Sequence, residues 1–331
     1  MAVINRIAGF ADEMAGWRMH MHKRPELGLE CHETAAFVVD RLRAFGSTEI
    51  ETGVATSGGV AVIDGRVPGP RVTGLRADMD ALPIAEATGL DYASELPGVM
   101  HACGHDGHTA MLLGAAKYLS ETRNFAGKAV LIFQPAEEGP GGGNVMVEEG
   151  VMDRYGVEEV YALHTLPGEP LGSFHTAPGP VMAAVDTFHI NITGQGGHAA
   201  YAYHTRDPGG AAAGIVQALQ TIVSRNTPAL EELVVSVTQI HTGTAENIVP
   251  EEAYVGGTIR SFDPGVRAMA RRRMEEIVTG QAASYGVAAT LRIDDGYPAT
   301  VNDAARVAFA AEIAREVARD GHVVTDRPRE M

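Results

Sequence analysis

The chain of 331 residues is poor in cysteine and lysine, and each shortage removes a class of protein. Cys31 and Cys103 are the only cysteines and lie far apart, so no disulfide framework of the kind used by small secreted domains is available. Lysine occurs only as Lys23, Lys117 and Lys128, and the net charge of −16 gives neither nucleic acid nor an anionic membrane surface a basic block to bind. No apolar run approaches the ~20 residues of a membrane-spanning helix. Met1 to Trp17 carry Asp12 and Glu13 where a signal peptide needs an apolar stretch, so a cytoplasmic location is expected. What is present is a 45% hydrophobic composition, enough for a large core and, at this length, for two domains.

Apolar residues recur with helical period over residues 3–22 (Ile4, Ile7, Phe10, Met14, Trp17, Met21) and stop before Pro25. A second helix is expected from Thr34 to about Phe45, closed by Gly46. Strand-like runs follow at Val60–Ile63, Val72–Arg76, Ala129–Phe133 and Val157–Leu163, with a helix from His108 to Leu119 between the second and third. Strands alternating with helices predict an α/β layer fold with a largely parallel sheet, whose functional site lies beyond the carboxyl ends of the strands. From Val185 to Ile293 the pattern changes to strand (Thr187–Ile192), helix (Gly209–Val223), strand (Leu233–Ile240), strand (Ala253–Ile259), helix (Val266–Ala283), strand (Ala288–Ile293). That order is the split βαβ sandwich, a self-sufficient module. A helix at Ala304–Arg319 then resumes the first pattern, which makes the module an insertion.

The stretch Met100-His101-Ala102-Cys103-Gly104-His105-Asp106-Gly107-His108 packs three histidines, a cysteine and an aspartate ahead of a helix. A Cys-x-His pair there places thiolate and imidazole at the positive end of the helix, a metal-ligand arrangement. Alone, it reads equally well as a buried Cys in a solvated His-rich turn. Glu137-Glu138 after the Ala129 strand and His164 after the Val157 strand favour the metal reading. Adjacent residues at a strand end point in opposing directions, so one carboxylate can hold metal while its neighbour serves as base. Asp78 and Asp80 follow the Val72 strand at a spacing that puts both on one side, where a carboxylate can orient a metal-bound imidazole. For Asp78 an Asp-capped turn is the preferred reading. In the inserted module, Gly194-Gln195-Gly196-Gly197-His198 offers a close-approach turn and a His able to stabilise an oxyanion, and Arg260 ends an apolar run where it can grip a carboxylate. The plain alternatives are a turn and a surface arginine.

Several segments read together resemble the metal-dependent aminoacylase and amidohydrolase family, in its hippurate hydrolase and indole-acetyl-amino acid hydrolase branch. They are Pro25-Glu26-Leu27-Gly28, Arg76-Ala77-Asp78-Met79-Asp80-Ala81-Leu82-Pro83, His101 to His108, Gln134-Pro135-Ala136-Glu137-Glu138-Gly139, Gly196-Gly197-His198, Asn247-Ile248-Val249-Pro250 and Gly257-Thr258-Ile259-Arg260. The resemblance implies an α/β/α catalytic domain of the zinc-exopeptidase type with a mostly parallel central sheet (residues 1–184 and 296–331). It also implies an inserted α+β ferredoxin-like (βαββαβ) domain, residues 185–295, serving as lid and dimer interface. Cys103, His105, Glu138 and His164 are then metal ligands for two divalent ions, manganese or zinc, with cobalt or nickel as alternatives. Glu137 is then the general base and Asp80 orients a ligand. His198 is expected to reach the active site of a neighbouring subunit, and Asn247 and Arg260 to contact the substrate carboxylate.

Three departures stand out. Ala202-Tyr203 occupies the place of a usual Pro-His pair, and Cys31 the place of a second Glu expected to be peripheral. The family continues past a Met-Gly-acid-Asp-Phe stretch to a final metal-binding His, whereas this sequence stops at Arg329-Glu330-Met331. His322 sits in an unrelated strand-like run. The expected activity is hydrolysis of an N-acylated amino acid, aromatic acyl groups favoured. A catalytically silent metal- or ligand-binding homologue and a dipeptidase are the alternatives.

Overall fold

A single helix over residues 3–22 is what the apolar period predicts, but Gly9 and Phe10 interrupt it. Phe10 adopts a non-helical φ of −124°, which separates α1 (Asn5–Ala8) from α2 (Ala11–Lys23). Glycine in a helix interior costs about 1 kcal/mol, and here the chain breaks beside it. The computed structural model describes residues 5–139, 141–318 and 321–331, so Ile4 of the predicted period lies outside them. The chain divides into two compact units, Met1–Leu171 and Gly172–Met331.

In the first unit, α3 (His32–Ala44) is capped from a distance. The Glu26 carboxylate accepts the Glu33 and Thr34 backbone N–H groups at 2.9 and 2.8 Å, satisfying two of the free donors at the helix start. Capping is thus one task of the Pro-Glu-Leu-Gly motif; another is the Glu26 carbonyl, which accepts the Ala81 N–H at 2.7 Å. Cys31 is not peripheral. It is fully buried just before α3, its thiol 3.3 Å from the Gly28 carbonyl, and burial beside Asp80 and Glu26 pushes that thiol well up.

Next come β1 (Glu49–Val54), β2 (Gly58–Asp64), β3 (Val67–Asp78), α4 (His105–Thr122), β4 (Ala126–Gln134), α5 (Gly142–Glu148), α6 (Val151–Tyr155) and β5 (Glu159–Ala162). The sheet order is β1-β2-β4-β3-β5. β3 runs parallel to β4 and β5, while β2 is antiparallel to β1 and β4, so only β2 opposes the common direction. Alternation along β4 builds both layers. Leu131 and Phe133 pack with Trp17, Met21, Val38, Leu42 and Leu113 from α2, α3 and α4, while Val130 and Ile132 pack with Met146 and Val151 from α5 and α6. This is the expected α/β/α arrangement, and it delivers the ends of β3, β4 and β5 to one rim.

The second unit contains β6 (Phe174–His175), β7 (Gly179–Met182), β8 (Ala184–Thr193), β9 (Gly197–His198), α7 (Pro208–Thr221), β10 (Leu233–Thr242), β11 (Ile248–Val249) and β12 (Glu252–Ser261). It continues with α8 (Pro264–Tyr285), β13 (Ala288–Asp295), β14 (Thr300–Asn302), α9 (Ala304–Val317) and β15 (Val323–Val324). Helix α9 ends at Val317; Arg319, the predicted end, lies outside the described residues. All six elements of the predicted split βαβ module are present, and its four strands form an antiparallel sheet of order β10-β12-β8-β13. Alternate β8 residues Phe188, Ile190 and Ile192 bury against Ile215 and Leu219 of α7 and Met274 and Val278 of α8. Asp207 and Asp263, each followed by proline, cap those helices by accepting from Gly209 and Val266 N–H. β7 pairs with β14 and β6 with β15, which ties both ends of this unit together.

Asp186 is the one charged side chain buried in this module's apolar side among the described residues. Arg267 and Arg271, one helical turn apart on α8, each donate Nε–H to its Oδ2 at 2.9 Å. Burial alone would raise the Asp186 pKa, but the two guanidinium groups outweigh it and bring it to about 2. Its folded pKa lies below the unfolded one, so this stabilisation is full above about pH 4 and is lost as the pH falls towards 2. Asp186→Asn leaves two arginines without their buried partner and is expected to cost about 3 kcal/mol at pH 7. Urea denaturation at pH 7 and pH 2.5 checks this: the penalty should shrink markedly at the lower pH.

Candidate metal centre

Gly104 starts the site. It precedes α4 in the left-handed conformation, φ +89°, and a Cβ there would stand 2.5 Å from the Thr165 hydroxyl. Only glycine meets both demands without strain. The turn sets α4 to begin at His105 rather than at the predicted His108, so His105 and His108 share one face of its first turn. Asp106, between them, points elsewhere: its carboxylate accepts from Arg18 at 3.0 Å and pairs with His22 at 2.7 Å, fastening α4 to α2. His101 is buried, makes no hydrogen bond among the described residues, and belongs to none of the potential metal-holding groups.

Among the described residues there are three such groups, and all contain His105: Cys103 with His105 and His164; Asp78 with His105 and His108; His105 with Glu137 and Glu138. In each, the ligand atoms lie within 4.8 Å of one another. Cys103 Sγ is 3.3 Å from His164 Nε2. His105 Nε2 faces Glu137, Glu138 and Asp78 at 3.8, 3.9 and 3.7 Å. The predicted convergence of Cys103, His105, Glu137, Glu138 and His164 is therefore present in the geometry.

Asp80 connects the parts. Its two oxygens accept the backbone N–H groups of Glu137 and Glu138 at 2.9 and 3.0 Å, and Oδ1 lies 3.4 Å from His105 Nδ1. The turn it holds is unusual. Ala136 is buried with φ +55°, and Gly142 packs so tightly beneath it that a Cβ would stand 1.8 Å from the Pro135 carbonyl. That backbone swings the two glutamates off the end of β4 over His105.

Asp78 departs from its predicted role as a turn cap. It ends β3 fully buried, accepts from Arg76 at 2.7 Å, pairs with His108 Nδ1 at 2.6 Å, and lends its carbonyl to the Thr109 hydroxyl. The sequence offers His108 only as a residue that could complete the metal centre, and its pairing with Asp78 is not visible there. The i, i+3 spacing of His105 and His108 was the available signal for their shared face.

The electrostatics suit a cation. Both ring nitrogens of His105 are buried and make no hydrogen bond among the described residues. Burial opposes charge on this ring, yet Asp80, Cys103 and Asp78 hold its pKa up at about 11. His105 and His164 lower the Cys103 pKa, and Cys103 in turn raises that of His164 to about 9. The field here draws positive charge, and a metal ion held by these groups would take the place of their protons. Thiolate, imidazole and carboxylate are a borderline donor set suited to zinc and its first-row neighbours. Glu137 is raised above the usual carboxylate range by burial and by Glu138.

The model of the peptidase family M20/M25/M40 matches residues 74–330. The chain belongs to this family. Its amidohydrolases and peptidases are hydrolases acting on amide bonds. An N-acyl-L-amino acid amidohydrolase of Geobacillus stearothermophilus is 45% identical over 292 residues, covering 88% of this chain and 78% of the relative. The hippurate hydrolase of Campylobacter jejuni is 37% identical over 317 residues, covering 96% and 82%. Among solved structures, the Bacillus subtilis YXEP protein, described as a dinuclear metal-binding peptidase, superposes with a TM-score of 0.81 at 34% identity, covering 97% of this chain and 83% of that one.

The remaining predicted residues lie in the second unit. His198 and Asn247 come together because β9 pairs with β11, and the Asn247 carbonyl accepts the Ala199 N–H at 2.9 Å. His198 is exposed; its Nδ1 accepts the Ala200 N–H at 3.1 Å. Arg260 sits on the helix-free face of the module's sheet, where it donates to the Thr258 hydroxyl at 2.6 Å.

Proposed function

We propose that the protein cleaves the amide bond of N-acyl amino acids, hippurate-like aromatic acyl groups included, to a carboxylic acid and a free amino acid. The observation that carries this reading is the rim on which His105 is shared between a Cys103–His164 group and a Glu137–Glu138 group, with Glu137 raised by burial and by Glu138. Cys103, His105, Glu138 and His164 would hold two divalent ions, manganese or zinc, with cobalt or nickel as alternatives. When bound, the ions supply Lewis acidity to the amide carbonyl and to water. Glu137 takes the proton from the attacking water and returns it to the leaving amine. Asp80 keeps Glu137 and His105 in register through its three contacts. Asn247 and Arg260 are assigned to the substrate carboxylate, the guanidinium being suited to bidentate recognition.

His198 is assigned to the tetrahedral oxyanion. The module at residues 185–295 serves as lid and dimer interface, with residues 1–184 and 296–331 as the catalytic part, and His198 works in the partner's site. Support comes from the module itself, which places a histidine turn on an exposed ribbon and, among the described residues, contributes to none of the metal-holding groups. Two free cysteines suit a reducing, cytoplasmic setting.

Side-by-side assay of hippurate, N-acetyl amino acids and dipeptides tests the substrate class. Release of free amino acid from the N-acyl compounds, well above dipeptide cleavage, is expected; preference for dipeptides would make the protein a dipeptidase. Mixing Glu137→Gln with His198→Ala subunits tests the shared site. Part of the activity should return in verified heterodimers, and none if His198 serves its own subunit.

A further inference from the structure

His108 closes the Cys-Gly-His-Asp-Gly-His run, and its two ring nitrogens are both engaged. Nδ1 lies 2.6 Å from Asp78 Oδ1, and Nε2 lies 2.9 Å from the backbone nitrogen of Thr165. On its other side Asp78 accepts from Arg76, whose Nη1 lies 2.7 Å from Oδ2. A carboxylate accepts, so His108 Nδ1 carries the hydrogen. A backbone N–H only donates, so Nε2 presents its lone pair to Thr165. The imidazole is therefore neutral and in the Nδ1–H form, with no lone pair left over.

Thr165 follows His164 directly. Fixing its nitrogen fixes the plane of the His164–Thr165 peptide. Within that frame His164 Nδ1 donates to the Thr165 carbonyl at 2.7 Å, which turns Nε2 towards Cys103 at 3.3 Å. The His108 and His164 rings stand 4.6 Å apart between centroids. His164 needs such support, since it lies beyond the end of β5 on an exposed stretch with no ladder of its own.

We propose that His108 is a positioning residue and not a metal ligand: with Asp78 and Arg76 behind it, it locks the Thr165 peptide and so aims His164 Nε2 at the metal position. The inference rests on the reading of His164 as a ligand. The two histidines on one face of α4 thus divide the work, His105 towards the metal and His108 towards the loop that carries another ligand. A ligand whose orientation is fixed by an outer partner typically loses ~10–100-fold in metal affinity when that partner is removed.

Long-range proton–nitrogen NMR of the metal-free and zinc-loaded protein tests this without any substitution. The expected result is an Nδ1–H pattern for His108 in both states, with only His164 and His105 changing on zinc addition. Two variants separate the contacts. In His108→Gln the amide oxygen reaches the place of Nε2 and can still accept from Thr165. In His108→Asn the amide nitrogen stands near the place of Nδ1 and can only serve Asp78. His108→Gln should keep zinc affinity near that of the parent and slow hydrogen exchange at Thr165. His108→Asn should lose ~10–100-fold in affinity and let that amide exchange freely. An Nε2–H or zinc-shifted His108, or equal losses in the two variants, would overturn the assignment. If zinc leaves His164 unchanged, the ligand reading of the previous subsection fails, while the tautomer and Thr165 protection in the metal-free protein still decide the brace.

Discussion

Glu137→Gln is expected to lower turnover of an N-acyl amino acid by about 10²–10⁴-fold while leaving metal content unchanged. The amide keeps the size of the carboxylate but cannot accept a proton. Backbone support is untouched, because Asp80 holds position 137 through its main-chain N–H and not through the side chain. Burial and the neighbouring Glu138 raise the pKa of Glu137 above the usual carboxylate range, in the direction the proposed base role calls for. Steady-state kinetics beside metal analysis checks the split. Near-normal turnover in Glu137→Gln, with a large loss in Glu138→Gln, would exchange the two roles.

Cys103→Ala is expected to have the second large effect, on metal affinity first and turnover as its consequence. Cys103 is the only thiol of the site, and it is the group that raises His164 and helps to raise His105. Its loss removes a soft donor and relaxes the two rings together. Affinity should fall by more than the ~10–100-fold typical of an outer partner, and His164 should titrate closer to the ordinary range near 6.5. Competition against a chelator of known affinity measures the first change, and NMR titration of the metal-free protein the second. A variant that binds zinc as tightly as the parent would remove Cys103 from the ligand set.

What could be read from the sequence, and what could not, follows from the range of the interactions involved. The rim of the site was legible because a parallel α/β sheet exports the residues after its strands to one side. Asp80, Glu137, Glu138 and His164 all follow apolar strand runs. The six-element module was legible for a similar reason: Phe188, Ile190 and Ile192 alternate, and Asp207-Pro208 and Asp263-Pro264 announce helices. β1 escaped because Glu49-Ile50-Glu51-Thr52-Gly53 has hardly any apolar pattern; it is a strand through pairing with β2. Asp78 read as a turn cap because nothing local reveals that Arg76, His108 and Thr109 would close around it. The Gly9–Phe10 break likewise needed backbone geometry that a regular apolar period conceals. Local pattern placed the chemistry, and tertiary contacts decided which side chains support it.

The central claim is that Cys103, His105, Glu138 and His164 form a metal centre at which an N-acyl amino acid is hydrolysed. The most direct test strips the protein with a chelator, returns manganese or zinc in measured amounts, and follows both bound ions and free amino acid released from hippurate and N-acetyl amino acids. Activity should be absent after stripping and rise in step with bound metal to two ions per chain. It should fail to return in the Cys103→Ala protein at the same metal concentration. Full hydrolysis in the stripped protein, or metal bound at two ions per chain in Cys103→Ala with parental turnover, would contradict the account.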